Sequence, residues 1–324
     1  MLSLQVDRLA GPKALSLVEV PVPDAAGGVV IDVHAAGVSF PDLLMIKGEY
    51  QLHPEPPFAP GTEVAGVVRE APAGSAWRPG DRVSAYTSWG GYSEVIAVDA
   101  GAVGRVPPAL DFVQGAAMMI NYQTAYFALR IRSHLNRGET LLVHGAAGGV
   151  GIAAVQIGHA LGGRVIAVVR GSEKAAFVRE AGCDEVIDLE QTENWVEAVR
   201  ELTDGNGAEI AFDPVGGTRF DQSLRAIRRD GKALIIGFAS GEISKIPANH
   251  LLLKNVDAVG VAWGMYLKQE PQLLRDIGKE LDALVEEQGL RPMVGATYAL
   301  AEGAAALEQL ASRQALGKSV LVVR

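Results

Sequence analysis

The chain has 324 residues, enough for about two domains that each bury a core, which excludes a peptide hormone or a disordered tail. Its net charge is −9, from 38 acidic and 29 basic residues with no long run of like charge, and this argues against nucleic acid or an anionic membrane surface as the main partner. Its single cysteine, Cys183, can make neither an internal disulfide nor a four-thiolate zinc site, so the chain reads as cytoplasmic. The first eight residues lack the basic-then-apolar order of a secretion signal. No stretch approaches the roughly 18 unbroken apolar residues of a membrane span, so neither secretion nor membrane insertion is expected.

From residue 1 to about 118, short apolar or alternating runs at 29–33, 64–68, 81–86 and 93–98 are separated by breakers such as Arg78-Pro79-Gly80-Asp81 and Val106-Pro107-Pro108. This is the pattern of a small β-barrel. From residue 138 onward the rhythm becomes strand, glycine-bearing turn, amphipathic helix and strand again. Strands are expected at 140–144, 164–169, 185–188, 209–213, 232–237 and 256–261, with helices between them such as 150–161, 173–181 and 194–202. That alternation predicts a parallel sheet covered on both faces, and six strands complete a doubly wound dinucleotide fold. Helices at 271–288 and 301–313 and a strand at 319–323 follow. The last strand has no place in the six-stranded sheet and is expected to return to the first domain. The domains are therefore residues 1–122 with 264–324, and residues 123–263, with no internal repeat or low-complexity linker.

The strongest local signal is Leu141-Leu142-Val143-His144-Gly145-Ala146-Ala147-Gly148-Gly149-Val150-Gly151-Ile152, an apolar strand running into small residues with a helix directly after. Small side chains let the backbone approach a pyrophosphate, whose charge is held by free N–H groups and by the positive end of the helix. The spacing Ala146-x-Gly148-x-x-Gly151 is the dinucleotide fingerprint with alanine in place of its first glycine. Ala146, Gly148, Gly149, Val150 and Gly151 are the candidate pyrophosphate contacts, and a purely structural tight turn is the alternative.

The end of the second strand of that fold selects the cofactor. An NAD site places an Asp or Glu there to accept hydrogen bonds from the ribose hydroxyls. This chain reads Val169-Arg170-Gly171-Ser172-Glu173-Lys174. Arg170 and Lys174 can neutralise a 2′-phosphate and Ser172 can donate to it, which favours NADPH. The alternative is a pair of solvated charges at a helix start, to which Glu173 beside them lends some weight.

With these motifs in view, the chain resembles the medium-chain dehydrogenase/reductase superfamily and, within it, the zinc-free quinone oxidoreductase branch that includes zeta-crystallin. The resemblance runs through Ala35-Ala36-Gly37-Val38-Ser39-Phe40-Pro41-Asp42, Lys47-Gly48-Glu49-Tyr50, Pro60-Gly61-Thr62-Glu63 and Gly80-Asp81-Arg82-Val83. It continues through Thr124-Ala125-Tyr126, the glycine loop, Asp213-Pro214-Val215-Gly216-Gly217, Gly237-Phe238-Ala239-Ser240-Gly241 and Gly317-Lys318-Ser319-Val320. It implies a GroES-like β-barrel catalytic domain, discontinuous in sequence, joined to a doubly wound parallel-sheet Rossmann domain. In the alcohol-dehydrogenase branch the metal ligands include a Cys where this chain has Ser39 and a His where it has Thr62. Hydroxyls are poor zinc ligands beside thiolate and imidazole, so no metal is expected. The six histidines show no close pairing and read as structural or exposed.

Without a Lewis acid, a developing alkoxide lacks stabilisation, whereas hydride addition to a quinone or activated alkene spreads the charge onto a remote oxygen. The resemblance therefore implies an NADPH-dependent quinone reductase. A reductase of 2-enoyl or haloacrylate-like substrates and an NADPH-binding protein with little turnover are the alternatives. It also implies roles for individual residues. Tyr50 is the leading proton donor, Ser39 stands where quinone reductases usually have Asn near the substrate, and Thr124 approaches the nicotinamide carboxamide. Phe238 and Ser240 cover the nicotinamide, and Lys318 is a cofactor-side contact. An ordinary half-buried loop Tyr and a helix-surface Thr are the plainer readings of Tyr50 and Thr124. Relatives often form homodimers by joining the edge strands of their dinucleotide sheets, which points to 256–261, although an apolar sixth strand fits a monomer equally well.

Overall fold

In a computed structural model covering residues 1–324, the chain divides into two units, residues 1–123 with 266–324 and residues 124–265. In the first unit, β1 (Leu2–Val6) and β2 (Leu15–Glu19) form an antiparallel pair of their own. β3 (Val29–Val38), β4 (Glu63–Glu70), β5 (Arg82–Tyr86), β6 (Val95–Val98) and β7 (Val103–Arg105) belong to a larger, mainly antiparallel sheet. β3 pairs with β4 and β6, β4 with β5, and β5 with β7. β3 is built mainly of Val, Ile and Ala and is buried along its length except at Asp32 and His34, as β-branched and small residues permit in a strand covered on both sides.

The second unit is a six-stranded sheet of β8 (Thr140–His144), β9 (Arg164–Val169), β10 (Glu185–Asp188), β11 (Ala208–Asp213), β12 (Ile227–Ile235) and β13 (Asp257–Gly260). Every pairing in it is parallel and the spatial order is β10-β9-β8-β11-β12-β13. The order reverses between β8 and β11, the place at whose carboxyl edge a doubly wound sheet binds its ligand. All five residues of β8 are buried, which explains an apolar run in place of an alternating one. β12 begins at Ile227, earlier than the expected 232, because Ile227 pairs with Ala208; the polar stretch Arg228-Arg229-Asp230-Gly231 is an irregularity in the ladder, and pairing with β11 resumes at Lys232 opposite Ile210.

The chain then returns to the first unit. β14 (Val294–Ala299) runs parallel to β15 (Lys318–Val322), and β15 pairs antiparallel with β3 from Ser319 opposite Val38 to Val322 opposite Ala35. β3 runs past the expected 33 to Val38 because this late strand supplies the partner for its second half. No helix is long and apolar enough to cross a membrane.

The helix Thr218–Ala226 is pinned to the second sheet by a buried polar contact. His144, the last residue of β8, is fully buried, and its Nε2 lies 2.8 Å from Ser223 Oγ, which itself donates to Arg219 O at 3.0 Å. The Trp195 ring meets the imidazole edge-on at 4.9 Å. Ser223 is equally closed to solvent, so this serine–histidine pair fixes packing and has no access to a substrate. Burial pushes the His144 pKa down to about 4; Asp213 opposes the shift and Arg219 adds to it. An unfolded imidazole binds a proton below about pH 6.5 that the native one refuses, so the native state loses stability as pH falls from about 6.5 to about 4. The loss from this group is on the order of 3 kcal/mol. Urea unfolding at several pH values across that window is expected to show a flatter pH dependence in His144→Gln than in the parent.

Candidate active site

The carboxyl ends of the central strands stand side by side, with His144 opposite Val168 and Val143 opposite Phe212. β8 leads into Gly145, whose φ of 55° makes the tight turn, and Gly148 N donates back to Gly145 O at 2.9 Å. The helix Gly149–Ala160 opens at once. A Cβ at Gly151 would fall 2.2 Å from Gly145 O, so the helix can rest on its own turn only with glycine there. Gly148, Gly149 and Val150 are partly exposed, and first-turn N–H groups have no acceptor within a helix. This cradle fits a pyrophosphate. Ala146 and Gly151 are both buried, and Ala146 N donates to Val168 O at 3.3 Å, so in this structure they shape the turn beneath the more exposed donors.

At the end of β9, Arg170 is exposed, Gly171 turns with φ 93°, and the helix Ser172–Glu180 begins. Ser172 is exposed and Lys174 half-buried in its first turn. The nearby Asp188, closing β10, is turned onto backbone; its Oδ1 accepts from Gly171 N at 2.8 Å and Glu190 N at 3.0 Å, and these donors hold its pKa below the usual value. After β11, Asp213 Oδ1 accepts from Val215 N at 2.7 Å and Gly216 N at 3.0 Å, and Val215 Cγ2 comes 3.3 Å from the Cβ position of Gly145. The loop after β12 is strapped to the loop after β11 by Ala239 N to Pro214 O at 3.0 Å and Ser240 N to Val215 O at 2.9 Å. Phe238, exposed, and Ser240 are thereby held at the same sheet edge as the glycine loop.

In the first unit the hydroxyls of Ser39 and Thr62 close into a buried polar network. Ser39 precedes the helix Phe40–Met45, which carries Asp42. Thr62 precedes β4 and Glu63 begins it, and Lys318 begins β15. Lys318 Nζ donates to Ser39 Oγ at 2.6 Å and forms an ion pair with Glu63; Ser39 Oγ donates to Glu63 Oε1 at 2.9 Å. Glu63 Oε2 accepts from Ile120 N at 2.8 Å. Asp42 accepts from Ser39 N at 2.8 Å, Thr62 Oγ1 at 2.9 Å and the Tyr92 hydroxyl at 3.1 Å. Burial pushes the Asp42 carboxyl up to about 6, against the lowering by Lys318 and by its hydrogen bonds from Ser39 and Thr62.

Lys318 is 2% exposed and its charge is paired with Glu63. Ser39 is 4% exposed and gives its proton to Glu63. Tyr50 remains half-buried beside this network, its phenol held protonated by burial and by the nearby Asp42 carboxylate. Tyr86, the register partner of Glu63 across β4 and β5, was missed; burial pushes its phenol up to about 12, with Tyr50 and Asp42 adding to the shift. The alternating strand at 81–86 carried the only signal for it. Thr124 lies on the helix Asn121–Tyr126 in the second unit and is half-exposed. No group of three His, Cys, Asp or Glu side chains is arranged to hold a metal ion.

Residues 25–108 match the alcohol dehydrogenase GroES-like domain and residues 149–279 the zinc-binding dehydrogenase domain. The quinone oxidoreductase-like protein 2 homolog of Nematostella vectensis is 39% identical over 297 residues, covering 90% of this chain and 81% of that protein. The chain belongs to the quinone oxidoreductase family. Among solved structures of similar fold, a probable oxidoreductase from Mycobacterium abscessus is 44% identical with a TM-score of 0.92, covering 100% of this chain and 99% of that one. The quinone oxidoreductase of Thermus thermophilus, solved alone and with NADPH, is 33% identical with a TM-score of 0.86 and full coverage of both chains. The fold is thus the α/β arrangement of this family, a GroES-like unit and a Rossmann unit.

Removing one member of a buried ion pair strands the other, at about 3–5 kcal/mol. Lys318→Met is therefore expected to lower stability to urea by that order, and Lys318→Met with Glu63→Gln to recover most of the loss.

Proposed function

We propose that the protein is a metal-free, NADPH-dependent oxidoreductase that reduces a quinone. The observation that carries this reading is the pairing of a glycine turn and open helix N-terminus after β8 with Arg170, in place of an acid, after β9. The former suits a pyrophosphate and the latter a 2′-phosphate that an acid would repel. Membership of the quinone oxidoreductase family and the NADPH complexes of the Thermus thermophilus and Escherichia coli enzymes support it.

NADPH, when bound, supplies the hydride. In this reading Gly148, Gly149 and Val150 hold the pyrophosphate, and Arg170, Ser172 and Lys174 hold the 2′-phosphate. Phe238 and Ser240 lie toward the nicotinamide, and Thr124 serves its carboxamide. Tyr50, kept protonated, is the donor available to the reduced acceptor. No metal is called for, because the hydroxyls of Ser39 and Thr62 are weak zinc ligands and are already committed to Glu63 and Asp42. The lone Cys183, with no second thiol to pair with, suits a reducing cytoplasm.

The test is the loss of NADPH absorbance with phenanthrenequinone, benzoquinone or a chloroacrylate, with NADH as control. Fast quinone turnover with NADPH is expected, and Arg170→Ala with Lys174→Ala should raise KM for NADPH about ten- to a hundredfold with little change for NADH. Equal effects on both cofactors would overturn the phosphate assignment. Turnover with the acrylate alone would make this an enoyl-type reductase, with Tyr50 as its acid.

The working form in this reading is a homodimer joined through β13, an edge strand of the sheet. The neighbouring helix Ala248–Lys254 presents Leu252 and Leu253 at 75% and 71% exposure, which an isolated subunit leaves in water. Sedimentation velocity should give a dimer, and Leu252→Lys with Leu253→Lys a monomer.

A further inference from the structure

One cation at the carboxyl edge of the second sheet has no part in the reading above. Arg219 is the second residue of the helix Thr218–Ala226 and is half-buried. Asp213 is the acid that acts on it. That carboxylate is already committed on one side, since its Oδ1 accepts from Val215 N and Gly216 N, while its Oδ2 is buried with no hydrogen-bond partner.

The next helical turn fixes where Arg219 points. Ser223, four residues on and so on the same face, is bonded to His144 at the end of β8. Helix side chains lean toward the N-terminus, so Arg219 projects past the start of its helix, over the carboxyl end of β8 where the chain turns at Gly145. The loop leading into this helix packs on that turn, with Val215 Cγ2 3.3 Å from the Gly145 Cβ position. Arg170, at the end of β9, is close enough that its charge joins burial in lowering the pKa of Arg219. Two guanidiniums that repel each other are relieved by a dianion that accepts from both.

We propose that Arg219 is a third cation of the adenosine 2′-phosphate site, closing on the phosphate from the β11 side while Arg170 and Lys174 approach from the β9 side. This rests on the NADPH reading above, and neither the glycine fingerprint nor the β9 segment contains the residue.

Calorimetric titration of the intact protein with adenosine 2′,5′-bisphosphate and with adenosine 5′-monophosphate separates the two claims. The parent should bind the bisphosphate at least about tenfold more tightly. Arg219→Ala should weaken bisphosphate binding about tenfold while leaving the monophosphate within about twofold, and Arg219→Lys, with charge but no fork, should fall between. Thermal unfolding of both variants checks the fold. If the parent does not distinguish the nucleotides, the NADPH reading and the Arg219 assignment fall together. If it does and Arg219→Ala keeps the full preference, the assignment alone falls. Equal weakening of both nucleotides also overturns it, because Arg219 would then support the adenosine and not the phosphate.

Discussion

The first unit depends on an ammonium group held out of water. Lys318 reaches Ser39 and Glu63 in a space where neither charge meets solvent, and attraction offsets desolvation there only while every remaining polar atom has a partner. That condition accounts for the composition around it. Ser39 relays between ammonium and carboxylate, Ile120 N satisfies the second carboxylate oxygen, and Thr62 and Tyr92 turn their hydroxyls to Asp42. Where the alcohol-dehydrogenase branch carries sulfur and imidazole, this chain carries one ammonium, two carboxyl groups and the hydroxyls that bridge them, and the replacement is collective. Restoring one ligand would strand several others.

The two units differ in how much of them the sequence discloses. The second is legible because its central strands β8 and β9 are largely apolar runs, the turns after them carry glycine and a helix follows each within a few residues, so local pattern and tertiary role coincide. Even there, β12 begins earlier than its polarity suggests, because the single apolar Ile227 pairs with Ala208 ahead of the irregular polar stretch at 228–231. In the first unit the strands at 29–33, 64–68 and 81–86 are readable, but the β1 and β2 pair and β14 are not, since each takes its identity from a distant partner.

The same contrast holds for the site. The glycine turn and Arg170 are local motifs and stand where their spacing places them. The pairing of Lys318 with Ser39 and Glu63 could not be read from the sequence, because Ser39 lies 279 residues away and Glu63 also belongs to the far N-terminal part of the chain, beyond any spacing rule. Arg219 escaped notice for a related reason. A single arginine after Gly216-Gly217-Thr218 is unremarkable in sequence and acquires meaning only when Ser223 and His144 fix the face of its helix.

The return of β15 to lie between β14 and β3 has a consequence for how the protein is made. Every residue of the second unit is synthesised before Lys318, so the parallel sheet can consolidate on the ribosome while Glu63, translated far earlier, still lacks its counter-ion. Until that last strand is made, the edge of β3 from Ala35 to Val38 lacks the partner that β15 supplies, so the sheet of the first unit is completed only by the end of the chain.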